Sequence, residues 1–226
     1  DSYLKEWPAI IKEIKDEFVI LDKTAFYPRG GGQESDEGII EKNGEEFKVL
    51  SIKKSNNEIL HKIDNLGLKP GDKVNCRVNW ERRYKLMRFH TATHILAEAI
   101  FKSTGALITG NQIDIDKCRI DFDLENNDQE LIKKAIEKAN SVIQENLDIK
   151  IEFKPKKEAE KIPQLSKLAK GLPLNLKEVR IVSIGDFDIQ ADGGTHVNNT
   201  KEIGKIEFIK TDNRGKNNRR IYFKIK

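Results

Sequence analysis

The sequence predicts an α+β protein: a small N-terminal antiparallel β-barrel over residues 1–80, followed by an α+β domain over residues 81–226 whose helices are segregated over one sheet. Three observations predict it. Up to residue 80 the chain is a succession of short alternating apolar runs separated by turn residues. From residue 80 a long stretch takes helical spacing, and a second such stretch follows after two more strand-like runs. The last quarter returns to alternation.

Taken in order, strands are expected around Ala9–Ile14 and Phe18–Leu21, with a turn near Asp16. Gly38–Lys42 and Glu46–Lys53 are joined at Asn43-Gly44, a strong two-residue hairpin signal. Asn56-Asn57 turns into Glu58–Ile63. Val74, Cys76, Val78 and Trp80 alternate with polar neighbours as a half-buried strand. Asn79 then suits the N-cap of a helix running from about Trp80 to Ser103 and stopped at Thr104-Gly105. Strands near Ile108–Ile115 and Arg119–Leu124 precede a helix from Asp128 to Leu147, marked by Leu131, Ala135, Ala139, Val142 and Ile143. A strand at Ile149–Phe153 and a weaker helix over Lys156–Lys170, interrupted near Pro163, come next. Strands at Val179–Ile184 and Phe187–Gln190 follow. Ile203–Ile209 and Ile221–Ile225 form a last hairpin across the polar turn Asp212–Asn218.

Composition narrows the class. Of 226 residues, 37% are hydrophobic and 35% charged, with a net charge of +4, which describes a globular chain with a highly charged surface. No run of about 18 apolar residues is present, so no transmembrane helix is expected. The first residues lack the basic-then-apolar pattern of a signal peptide, and the cytoplasm is the expected compartment. Two cysteines are too few for a disulfide framework. Cys76 and Cys118 both fall on the apolar side of expected strands and read as core residues in a reducing compartment.

The chemistry concentrates on the histidines, of which there are four. His90 and His94 stand four apart, which on a helix stacks both imidazoles on one face. Two neutral imidazoles so placed make half of a zinc site. A second pair, Asp192 and His196, brackets Gly193-Gly194 in a loop. The nearly hundred residues between the pairs match no zinc finger. Three imidazoles with at most one carboxylate resemble a catalytic zinc site more than a closed structural one, which is usually rich in thiolate. Without Asp192 the site would keep an open position for water. With Asp192 as ligand, the coordination must expand to admit water or substrate. Each residue alone has a bland explanation: a hydrogen-bonded core histidine, or an aspartate forming a turn beside glycine. A zinc peptidase would need His-Glu-x-x-His on the helix, and residue 91 is Thr.

Gly30-Gly31-Gly32 is the other unusual stretch. Three glycines in a row hold neither helix nor strand cheaply. Flanked by Phe26-Tyr27-Pro28 and Gln33 rather than by serines, they read as a loop approached closely by a ligand rather than as a flexible linker.

These motifs in this order, Phe26-Tyr27-Pro28 with Gly30-Gly31-Gly32-Gln33, then His90-x-x-x-His94, then Gly193-Gly194-Thr195-His196, closely resemble the editing region of alanyl-tRNA synthetase. They are most similar to its freestanding homologues, the AlaX family, in the medium-length class that keeps the glycine-rich barrel. Arg82–Arg88 and Asn199–Gly204 fit the same pattern, and the resemblance covers nearly the whole chain. Because the chain starts at the barrel, no aminoacylation domain is expected. One position departs: Asp192 stands where the family's loop has Cys, a hard ligand in place of a soft one.

The resemblance implies an aminoacyl-tRNA deacylase that needs no ATP and binds one zinc per chain through His90, His94, His196 and Asp192. Its partner would be the acceptor end of tRNA(Ala) carrying serine, with glycine as a further substrate and alanine spared. Thr24 and Gln33 are the family-matched groups for recognising the serine hydroxyl, and Gly30, Gly31 and Gly32 would offer backbone N–H groups to developing charge. The attacking water would be activated by the metal or by the terminal ribose hydroxyl. Phosphate contacts are expected from Arg82, Arg83 and Arg88 with Lys85, from Lys154, Lys156 and Lys157, and from Arg214, Lys216, Arg219 and Arg220. Two further readings remain open: a non-catalytic tRNA-binding module with structural zinc, and an editing deacylase for another tRNA such as seryl-tRNA(Thr). The oligomeric state is not encoded in any motif.

Overall fold

A computed structural model describes residues 1–125, 128–162, 165 and 177–226. The chain divides into two compact units, Asp1–Leu86 and Met87–Lys226.

The first unit is a closed antiparallel barrel in the order β1-β2-β5-β4-β3-β6. Its strands are β1 (Glu6–Lys15), β2 (Phe18–Leu21), β3 (Gly38–Lys42), β4 (Glu45–Ser55), β5 (Glu58–Ile63) and β6 (Lys73–Val78). Closure comes from β1 pairing with both β2 and β6. The turns follow the sequence closely. Asn43 and Gly44 both take positive φ, 53° and 86°, as a type I′ hairpin requires, and Asn56 and Asn57 do the same between β4 and β5. Alternate residues point inward, so Trp7, Ala9 and Ile11 join Val19, Ile40, Phe47, Val49, Ile52, Val74 and Cys76 in one core.

The helix α1 (Trp80–Thr104) begins where β6 ends. Asn79 caps it, its Oδ1 accepting the Arg82 N–H at 3.2 Å, so Trp80 opens the helix rather than closing the preceding strand. From Phe89 to Ile100 every residue is buried. A helix covered on all sides can afford polar residues inside only if each finds a partner.

The second unit contains β7 (Ile108–Ile113), β8 (Cys118–Phe122), α2 (Gln129–Gln144), β9 (Ile149–Pro155), α3 (Lys156–Ala159), β10 (Glu178–Ile184), β11 (Asp188–Ala191), β12 (Ile206–Asn213) and β13 (Arg219–Ile225). Asp128 caps α2 by accepting the N–H groups of Glu130 and Leu131. Among the described residues the strands make two sheets, β11-β10-β9 and β12-β13-β8-β7, where one was expected. The difference lies in pairing: β13 returns to β8, while β9 and β10 pair with each other. Strand alternation indicates which residues lie in a sheet but not which strand lies beside which.

Two elements differ in extent. Of the helix expected over Lys156–Lys170, the described residues show the single turn α3; Lys161 and Ile162 then bond back three residues, to Glu158 and Ala159. Residues 163–164 and 166–170 of that expectation lie outside the described residues. The segment before β12 is a 3₁₀ turn, Thr200–Ile203, held by a capping box between Asn199 and Glu202, so the last hairpin starts at Ile206. Cys76 and Cys118 are free and buried, as core residues should be, and burial pushes the Cys76 thiol up to about 12. Among the described residues no helix is long and apolar enough to cross a membrane.

Candidate metal centre

Four side chains of the second unit converge. His90 and His94 come from α1, and Asp192 and His196 from the loop after β11; one ligand atom from each lies within 4.8 Å of all the others. The helical i, i+4 spacing alone aligns the first pair. The second pair depends on the loop. On β10, Arg180 Nη1 donates to the Asp192 carbonyl oxygen at 2.7 Å, and the Gly194 N–H donates to Asp192 Oδ2 at 2.5 Å, curling the loop around the carboxylate. A Cβ on Gly194 would run into the His90 ring, so the loop reaches the helix only because that residue is glycine.

Hydrogen-bond accounting assigns a tautomer to His196. Thr91 Oγ1 gives its one hydrogen to the Met87 carbonyl oxygen at 3.0 Å, and accepts the Val197 N–H at 3.3 Å. It lies 3.1 Å from His196 Nδ1, and with its hydrogen already committed it can only accept there. His196 therefore carries its hydrogen on Nδ1 and turns a bare lone pair on Nε2 toward the cluster. That Nε2 is 3.0 Å from Asp192 Oδ2. Two acceptor atoms at this distance repel unless positive charge lies beside them, and Arg180 Nη1, 3.7 Å from the same Oδ2, supplies only part of it.

A metal ion fits that requirement. His90 Nε2 and His94 Nε2 stand 3.4 and 3.9 Å from Asp192 Oδ1. Tetrahedral ligands at zinc-type bond lengths lie about 3.3–3.5 Å apart; the His90 separation falls in that range and the His94 separation exceeds it. Behind His94, the fully buried Asp188 carboxylate places Oδ2 3.4 Å from Nδ1 without full hydrogen-bond geometry. Charge tells the same story. Burial opposes a charged His94, but the Asp188 and Asp192 carboxylates outweigh it and hold its pKa up at about 9. Burial pushes His196 down to about 3. Asp192 stays well below the ordinary carboxylate range: burial works against its charge, and the imidazoles around it prevail. A pocket that draws a proton onto a buried imidazole is one that favours a cation.

The other expected site residues lie in the barrel unit. Gly30 and Gln33 exchange backbone bonds, Gly30 N–H to Gln33 oxygen at 3.1 Å and Gln33 N–H to Gly30 oxygen at 2.9 Å. Gly31 and Gly32 sit between them at φ 58° and 84°. The glycine stretch is thus a tight turn of the I′ kind, not an open loop. It uses the amide of Gly30, so only the Gly31 and Gly32 amides are left over by this pair. Gln33 is buried and Thr24 half-buried.

The arginines expected to hold phosphate are turned inward instead. Arg83 is 1% exposed. Its guanidinium forks onto Asp36 and also donates to the carbonyl oxygens of Ser2 and Ala25. Arg219 is likewise buried, bonded to Asn213 and to the carbonyl oxygens of Gly215, Asn218 and Glu125. Arg220 forks onto Asp121 at 2.6 and 2.8 Å. Arg88 donates to the carbonyl oxygens of Ile203 and Lys226, and Arg82 to that of Ser35. A guanidinium offers five donors, and in these five residues loop carbonyls and carboxylates take most of them, while Arg219 Nε has no hydrogen-bond partner among the described residues. Lys85, Lys157, Arg214 and Lys216 remain on the surface.

Sequence reasoning missed Thr91 and Asp188. Asp188, Gln190 and Asp192 alternate along one strand and its extension, which places them on one face and was a readable signal for Asp188. Thr91 carried no such signal, because its role depends on a loop a hundred positions away.

Residues 3–82 match the family described as tRNA synthetases class II (A), and residues 179–222 match the threonyl and alanyl tRNA synthetase second additional domain. Over its full length the chain is 46% identical to the alanyl-tRNA editing protein AlaX-M of Methanosarcina barkeri, covering 96% of that protein. It is 45% identical to the protein of the same name in Saccharolobus solfataricus, again over the whole chain and 96% of the relative. Against the alanine–tRNA ligase of Thermococcus kodakarensis the identity is 38% over 94% of the chain, which spans 23% of that much longer enzyme.

Proposed function

The chain belongs to the AlaX-M family of alanyl-tRNA editing proteins, and from that premise we propose that it is a trans-editing hydrolase of the cytoplasm, which removes serine from mischarged tRNA(Ala), accepts glycine as a second substrate and spares alanine. The reaction is ester hydrolysis: water adds to the aminoacyl carbonyl carbon, the bond to the ribose oxygen breaks, and that oxygen leaves with a proton from the water. It is downhill and needs no ATP.

The observation that carries this reading is the convergence of His90, His94, Asp192 and His196 in a chain related over its whole length to editing proteins. One zinc ion per chain, held by these four, would supply Lewis acidity toward the ester carbonyl and orient the aminoacyl end. Asp192 serves as the anionic ligand, Thr91 holds the ring of His196 with Nε2 turned inward, and the Asp188 carboxylate stands behind His94 as its charge partner. In the barrel unit, Thr24 and Gln33 read the serine hydroxyl, and the Gly31 and Gly32 amides are offered to developing negative charge. Serine is alanine plus a hydroxyl. A site that hydrogen-bonds the hydroxyl can reject the analogue lacking it by roughly 10⁴-fold, because alanine leaves buried polar groups unpaired.

The test is hydrolysis of seryl-tRNA(Ala) against alanyl-tRNA(Ala), with and without a chelator. The expected result is rapid loss of serine, sparing of alanine, and abolition by the chelator with recovery on adding zinc. Tight tRNA binding with metal bound and neither ester cleaved would replace the enzyme by a binding module. Preferential cleavage of seryl-tRNA(Thr) would reassign the substrate.

A further inference from the structure

His61 is the one histidine outside the metal cluster. It lies on β5 in the barrel unit and is completely buried. Its two nitrogens have different partners, and together they determine where the hydrogens go. Nδ1 is 2.9 Å from the Val19 carbonyl oxygen, which can only accept, so Nδ1 carries the ring hydrogen. Burial keeps the ring neutral, with its pKa pushed down to about 4 against the pull of that carbonyl. Nε2 is therefore a bare acceptor. It lies 2.9 Å from Thr24 Oγ1, a bond that exists only if the threonine hydroxyl gives its hydrogen to the ring. The Phe26 N–H, 3.1 Å away, occupies one lone pair of the same oxygen. The Phe26 ring packs against the His61 ring with centroids 5.6 Å apart and is itself wedged by Trp7. Neither partner is free to turn.

A threonine hydroxyl normally rotates and serves as donor or acceptor as required. At Thr24 the one hydrogen is committed inward and one lone pair is taken, which leaves a single lone pair on a half-buried side chain. We propose that His61 is a positioning residue for substrate choice: it fixes Thr24 as a pure hydrogen-bond acceptor, so that this position receives a hydroxyl hydrogen from a seryl group and has nothing to offer the methyl group of alanine. The inference rests on the reading that Thr24 contacts the serine side chain. A rotating hydroxyl could turn its hydrogen away and tolerate an apolar neighbour. A locked acceptor cannot, and a methyl group against it leaves the lone pair unsatisfied.

Two measurements on the zinc-loaded protein test this. The first needs no variant. Nitrogen-15 NMR of the imidazole at neutral pH should show His61 with hydrogen on Nδ1 and an unprotonated Nε2, and Thr24→Val should shift the Nε2 resonance as its hydrogen bond disappears. Hydrogen on Nε2 would overturn the proposal outright. The second is a double-mutant cycle on the ratio of kcat/KM for seryl-tRNA(Ala) over alanyl-tRNA(Ala). Asn at position 61 keeps a donor near the Nδ1 place but removes the acceptor facing Thr24. His61→Asn should lower the ratio on the order of tenfold, one hydrogen bond's worth. Thr24→Val should lower it at least as much, and His61→Asn should add nothing in the Thr24→Val background. His61→Gln, whose side-chain oxygen reaches the Nε2 place, should restore part of the ratio. If Thr24→Val destroys the preference while a folded His61→Asn leaves it unchanged, the positioning role is wrong and the reading of Thr24 stands. If Thr24→Val leaves the preference intact, the reading of Thr24 is itself wrong and the role of His61 falls with it.

Discussion

Asp36 in the barrel unit and Asp192 in the second unit are both carboxylates enclosed by nitrogen, and they differ in which nitrogens face them. Asp36 is met on every side by hydrogens. Arg83 Nε donates to Oδ1 at 2.8 Å, Arg83 Nη2 donates to Oδ2, and the Tyr27 N–H donates to Oδ2 at 2.5 Å. Asp192 receives one N–H, from Gly194, has the Arg180 guanidinium 3.7 Å from Oδ2, and otherwise faces imidazole nitrogens. Among them His196 Nε2, assigned as a lone pair by the Thr91 contact to Nδ1, is 3.0 Å away. The first cluster closes on itself and is structural. The second gathers three imidazoles around one carboxylate, an arrangement that suits a bound cation. Burial and polarity are common to both; the direction of the hydrogens separates structure from site.

The comparison breaks most visibly if one partner of the closed cluster is removed. Arg83→Met leaves Asp36 charged, buried and unpaired, and should cost about 3–5 kcal/mol of stability. Urea unfolding followed by tryptophan fluorescence reads this, since Trp7 lies in the barrel core. Adding Asp36→Leu should recover much of the loss, because an apolar pair can replace an ion pair whose work is only structural. If the double variant is no better than the single one, Asp36 does more than hold Arg83.

Next in size is a pH effect that His61 predicts for the barrel. Its pKa is about 4 in the folded protein and about 6.5 unfolded, so between these values the unfolded chain takes up a proton that the folded one refuses. The contribution is fully present above pH 6.5 and lost as pH falls toward 4, by about 3 kcal/mol across the window. His61→Asn should flatten that slope in urea unfolding measured from pH 7 to 4.5. An unchanged slope would assign the titration to another group.

For the open cluster the expected loss is chemical. His90→Ala should reduce bound zinc to trace levels by elemental analysis and lower deacylation about a hundredfold or more, with the fold retained. Thr91→Val tests the supporting bond and is a smaller change. With no hydroxyl to hold the Nδ1–H of His196, zinc affinity should fall by about 10- to 100-fold in a chelator competition, at unchanged stoichiometry in excess metal. Full affinity in Thr91→Val would mean the loop alone orients the ring.

Much of this was legible beforehand, and the failures have one physical cause. Barrel turns at Asn43-Gly44 and Asn56-Asn57, the caps at Asn79 and Asp128, and the spacing of His90 and His94 are local facts, decided within a few residues. Asp192 and His196 could be paired with them because histidine is rare in this chain. The return of β13 to β8 could not be read, since nothing local to either strand names its neighbour. Nor could the destination of the arginines. A basic stretch such as Arg82-Arg83 looks the same whether its guanidinium groups reach solvent or fold back onto Asp36 and Ser35. Thr24 and His61 were each visible, but the bond between them joins residues 37 positions apart.

The same accounting extends to nucleic-acid contact, where the expected effect is smallest. Arg220 has its fork filled by Asp121, so its charge is spent inside the sheet β12-β13-β8-β7. Arg214 and Lys216, in the turn between β12 and β13, are exposed. If phosphate contact follows from unspent donors, Arg214→Ala with Lys216→Ala should weaken tRNA binding only a few-fold at moderate salt, yet lower the slope of log affinity against log salt by up to about 1.5. Arg220→Ala should leave the salt slope alone and reduce stability, because it removes the two-pronged bond to Asp121 and leaves that carboxylate to Arg119 alone. The opposite pattern, a flattened slope from Arg220→Ala and none from the turn, would mean that an internally satisfied guanidinium still reaches the phosphates. Satisfaction would then no longer divide structural residues from functional ones in this protein.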